Sequence, residues 1–86
     1  MTIEEIGLRE GRQAHLDAEM KIGLFNIYAG DEGRPLEVVV TVKDDSEHKY
    51  TLHPGDTFPV GDQIWRLERV IDPGGDAPTA VLARIE

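Results

Sequence analysis

A two-residue rhythm of apolar and polar side chains limits what this chain can fold into more than any other feature. From Gln13 the even positions read Ala14, Leu16, Ala18, Met20, Ile22 and Leu24, while the odd positions read Gln13, His15, Asp17, Glu19, Lys21 and Gly23. Alternation of this kind sets one face against a core and the other in water, which is the pattern of a half-buried strand. The run "GRQAHLDAEMK" is rich in helix formers, but a helix would spread the even positions around its whole circumference, so strand is the reading. Near Gly23 to Asn26 the phase changes, because Phe25 and Ile27 are apolar at odd positions. That change predicts a bulge or a switch of sheet.

The same rhythm recurs along the chain. Leu36, Val38, Val40 and Val42 alternate with Glu37, Val39, Thr41 and Lys43, and further strands are predicted at Ile3 to Arg9, Lys49 to Leu52, Gln63 to Ile71 and Thr79 to Ile85. Turn residues separate them at Gly30 to Pro35, Asp44 to Glu47, Pro54 to Asp56, Gly61-Asp62 and Asp72 to Pro78. The expectation is an all-β fold, a single-domain antiparallel barrel or sandwich of about six to seven short strands. Closure is favoured, because an open sheet in so short a chain leaves two edges free to pair. With 86 residues there is room for one core.

Charge narrows the partners. The formal net charge is −8, and an anionic surface repels phosphate polymers and anionic membranes, so neither nucleic acid nor a membrane is expected. Mimicry of nucleic acid would need carboxylates arrayed on one face, whereas these are scattered through turns and alternate strand positions. There are no cysteines, which removes disulfides, thiolate zinc and thiol chemistry. The run Met1 to Leu8 carries neither a basic segment nor a long apolar one, so a cytoplasmic protein is expected.

Candidate sites each have a plain structural counterpart. The four Gly-Asp pairs, beginning at Gly30, Gly55, Gly61 and Gly75, fall at irregular gaps between strand patterns, and turn chemistry explains them better than a calcium repeat does. His48 and His53 are five apart and point to opposite faces of a continuous strand, while His15 lies on a distant one; no metal or cofactor is expected. Ser46, the only serine, sits in the acidic run Asp44-Asp45-Ser46-Glu47 beside His48, where a solvated hairpin tip is the simpler account. Trp65, the only tryptophan, is expected to be the largest piece of the core. Its alternative is surface recognition, where Trp and Arg are the strongest anchors. Trp65, Leu67 and Ile71 share one parity, and Arg66 and Glu68 share the other, poised for cross-strand ion pairs.

The turn in "HPGD" resembles the Pro-Gly-Asp turn of cupin-type barrels, without the histidine pair and glutamate of that family's metal motif. The stretch "LHPGDTFPVGDQIWRLERV" with the closing "TAVLARIE" resembles the C-terminal half of short, acidic, uncharacterised proteins of actinobacteria. It is also similar to small barrels in secretion-system assembly proteins. The resemblance implies a β-rich fold and almost nothing about activity.

Three functions follow as expectations. The first is a non-catalytic interaction module for a protein partner or a second copy of itself, using an apolar patch of Phe25, Ile27 and Tyr28. The second is a small-molecule-binding barrel or minimal enzyme whose mouth gathers His53, Asp56, Trp65 and Arg66. The third is an acidic inhibitor of a basic partner.

Overall fold

The computed structural model describes residues 4–17, 20–30 and 33–86. Ile3 of the first expected strand, Ala18 and Glu19 of the alternating run, and Asp31 and Glu32 of the following turn lie outside the described residues.

Among the described residues there are eight strands and no helix. They are β1 (Glu5–Arg9), β2 (Gln13–Asp17), β3 (Met20–Tyr28), β4 (Glu37–Lys43), β5 (Glu47–Leu52), β6 (Thr57–Val60), β7 (Gln63–Ile71) and β8 (Thr79–Arg84). They form two four-stranded antiparallel sheets, ordered β1-β8-β7-β6 and β2-β3-β4-β5, with no closed barrel. The all-β expectation therefore holds, with eight strands where about six to seven were predicted. The edges that closure would have removed are blunted in other ways. Edge strand β6 carries Pro59, which has no N–H to offer a partner, and edge strand β2 is bulged between His15 and Asp17.

The two additional strands have separate origins. The expected single strand is divided between β2 and β3, because the register pairs Ala14 with Ile22 and Gln13 with Gly23. From Gln13 to His15, residues of like parity face each other across the pair, so both strands turn even positions, Ala14 and Ile22, toward the core. The alternation in the sequence, continuous over Ala14 to Leu24, therefore conceals the change of strand. Strand β6 is short, and its apolar residues, Phe58 and Val60, sit between two turn signals that read as continuous loop.

Inner faces of both sheets meet in one core. Ile22, Leu24, Val38, Val40 and Val42 come from one sheet, and Phe58, Val60, Trp65, Leu67 and Leu82 from the other, all shielded from solvent. Trp65 is 0% exposed, and its indole N–H donates to Gln63 Oε1 at 3.0 Å. The core reading of Trp65 thus stands and the surface reading falls. Directly paired with Trp65 is Phe58, whose ring lies 6.0 Å from that of Tyr50 in the opposite sheet. That contact is a favourable aromatic spacing and ties the two sheets together.

A bulge interrupts β7 between Leu67 and Arg69. Its extra residue, Glu68, shifts the phase, so Val70 packs against the core and Ile71, expected inside, is 50% exposed. Arg66 pairs with Glu68 on its own strand, and not across strands.

Candidate functional site

The phase change predicted near residue 25 is a bulge in β3, between Leu24 and Asn26. Leu24 faces Val40 and Asn26 faces Val39, leaving Phe25 unpaired as the extra residue. The bulge is held from outside the sheet, because the Glu10 carboxylate reaches from the β1–β2 turn to accept the Ile27 amide at 2.8 Å.

This geometry divides the predicted apolar patch. Ile27 turns inward and is 8% exposed, joining the core, whereas Phe25 and Tyr28 are 57% and 50% exposed. Ile27 therefore leaves the patch, since the bulge puts it on the opposite side of the sheet from Phe25. What the sequence did not reveal is the cation beside the ring: Lys49 Nζ on β5 lies 4.4 Å from the Phe25 centroid, a cation–π contact spanning β4. Alongside lies a shallow groove of about 350 Å³, lined by Arg12, Gln13, Gly23, Phe25 and Thr41. Gly23 forms its floor of necessity, because a Cβ there would stand 2.7 Å from Thr41 Oγ1.

The predicted polar mouth forms only in part. His53 and Asp56 bracket a tight turn closed by the Asp56 amide donating to the His53 carbonyl at 2.9 Å, with Gly55 at φ +96° where an L side chain is strained. Asp56 Oδ2 accepts the His53 amide at 2.9 Å and lies 3.5 Å from the ring's Nδ1. Glu37 Oε2 approaches the other nitrogen, Nε2, at 3.3 Å. The two carboxylates thus occupy opposite edges of one imidazole and diverge from any common point where a cation could be held. Such half-exposed pairs contribute about 0.2–1 kcal/mol each. Trp65 has no part in this cluster, being sealed in the core, and Arg66 is engaged by Glu68. Glu37, which sequence reasoning missed, arrives because Val38 pairs with Leu52 at the end of β4–β5, which sets Glu37 beside His53. It also lines a second groove, of about 640 Å³, with Ile27, Tyr28, Ala29, Arg34 and Pro35.

At the β4–β5 tip, Ser46 Oγ and Asp44 Oδ1 lie 3.1 and 3.6 Å from the same nitrogen of His48, Nε2. A nucleophilic relay needs the hydroxyl on one ring nitrogen and the carboxylate on the other. Here both approach the same nitrogen, so the arrangement is not that of a relay. Asp44 is instead structural, and its carboxyl is held below the ordinary aspartate range, first by the Gly61 amide and then by that of Ser46.

Over residues 3–86 the chain matches a family described as "Family of unknown function (DUF6406)". It belongs to that family. No curated protein and no solved structure matches the chain.

Proposed function

We propose that this member of the family is a non-catalytic protein-interaction module, and that its contact surface is the outer face of the β2–β5 sheet around Phe25 and Tyr28. The observation that carries the reading is the β3 bulge, which a Glu10 hydrogen bond maintains and which turns a large aromatic ring into water. An apolar ring kept 57% exposed would gain stability on being covered by a partner. The polar clusters support it from the other side, since the imidazoles of His48 and His53 are engaged by neighbouring carboxylates and a serine in arrangements that serve turns.

A small-molecule-binding role is the second reading, supported by the groove beside Tyr28, Arg34 and Glu37.

Photo-crosslinking separates the two. A benzophenone amino acid in place of Phe25, introduced in the native cells, should capture a discrete protein, and the same group at Thr57, on the other sheet, should not. Equal adducts at both positions, or none at Phe25, would remove the interaction reading.

A further inference from the structure

The interaction reading leaves the partner's chemistry open, and the charges on the same face supply it. The chain has 17 acidic residues and three lysines, Lys21, Lys43 and Lys49. All three lysines stand on the strands β3, β4 and β5 of one sheet, at positions alternating with the buried Ile22, Val42 and Leu52 or the half-buried Tyr50. Lys21 and Lys43 are direct cross-strand partners; His15 is paired with Lys21 on its other side, and Glu47 closes the row opposite Lys43. Like charges placed directly opposite destabilise a sheet. In a chain so rich in carboxylates that juxtaposition is easily relieved, yet among the described residues none of the three lysines enters an ion pair.

We propose that this face docks an acidic segment of a partner protein, with carboxylates over the His15–Lys21–Lys43 row and an apolar side chain on Phe25, in the groove floored by Gly23. The proposal rests on the interaction reading and adds the partner's charge. Lys49 above the ring and Arg12 at the groove's margin extend the cationic rim around the apolar centre. That combination suits alternating acidic and apolar residues, since each carboxylate meets a cation and the ring covers what water would otherwise surround. An extended polyanion is a poor occupant. The net charge of −8 repels a long phosphate polymer or an anionic bilayer, whereas a short segment meets only the local lysines.

The test is amide NMR on the isotopically labelled protein, titrated with a synthetic peptide of four glutamates around a central phenylalanine. Shifts should concentrate at residues 13–15, 21–25 and 41–49, shrink with added salt, and vanish for the glutamine counterpart. Lys21→Glu should weaken binding about tenfold while leaving thermal stability unchanged or raised, because it converts a like-charge pair to an ion pair. No shifts at millimolar peptide, shifts centred elsewhere, or undiminished binding by Lys21→Glu would overturn the proposal. Preferential binding to phosphatidylserine vesicles, or dimerisation abolished by Lys21→Glu, would also overturn it by assigning the face to another occupant. A Phe25 crosslink together with a silent peptide titration would defeat the acidic partner and leave the interaction reading standing; loss of the crosslink would defeat both.

Discussion

Asp44 Oδ2 accepts the amide hydrogen of Gly61 at 3.0 Å, joining the β4–β5 tip of one sheet to the β6–β7 turn of the other. Its second oxygen, Oδ1, accepts the Ser46 amide at 3.2 Å. One carboxylate at the rim of the core thus orders two turns together.

That arrangement predicts an acid response. The Gly61 amide, then the Ser46 amide, with smaller contributions from the Asp45 amide and the His48 charge, hold the Asp44 carboxyl below its ordinary range, against an opposing effect of burial. A carboxyl depressed in the folded state stabilises the protein above its unfolded pKa, and that stabilisation is lost as pH falls through the folded value. The thermal unfolding midpoint of the wild type should therefore fall from about pH 5 downwards. Asp44→Ala should be less stable at neutral pH and less sensitive to acid. Parallel pH profiles for the two proteins would show that Asp44 does not act this way.

Trp65 and Gln63 form a second unit, a buried ring whose only polar atom is satisfied by a buried amide. Removing the ring in Trp65→Ala should cost about 3–5 kcal/mol in denaturant unfolding. Gln63→Ala keeps the ring and strands its N–H, at a cost of about 1–3 kcal/mol. A blue-shifted fluorescence maximum in the native wild type, moving to the red on unfolding, would report the same burial independently. An Ala variant at either position with an unchanged unfolding midpoint would contradict this packing.

How far the sequence disclosed these features depends on whether each feature leaves a trace in the alternation. Where a strand is regular, inner and outer faces can be assigned directly, as for Val38, Val40 and Val42. The Phe25 bulge also leaves a trace, because an inserted residue changes parity. The same device at Glu68 is masked, since Ile71 and Val70 are both apolar and either could have been the inward one. The division of this run into β2 and β3 leaves none at all, for Ala14 and Ile22, of like parity, pair with each other and both pack toward the core. Contacts between distant strands are less legible still. Glu37 beside His53, Lys49 over Phe25 and Lys21 opposite Lys43 arise from register, and register is set by turns and bulges whose positions the alternation only partly fixes.

The bulge itself can be tested by four substitutions at three positions, Glu10, Phe25 and Ile27. Phe25 and Ile27 have the same parity and comparable bulk, so in an unbroken strand both would be buried or both exposed. With the bulge in place, Ile27→Ala opens a hole in the core and should cost about 2–5 kcal/mol, while Phe25→Ala at 57% exposure should stay within about 0.5 kcal/mol of wild type. Glu10→Ala removes the acceptor of the Ile27 amide and should cost about 1–3 kcal/mol. Glu10→Gln retains an acceptor oxygen and should recover part of that loss. Chemical denaturation of the four variants measures all of this in one series. Equal costs at Phe25 and Ile27 would mean that β3 runs straight, and the exposed ring on which the docking surface is built would then be part of the core.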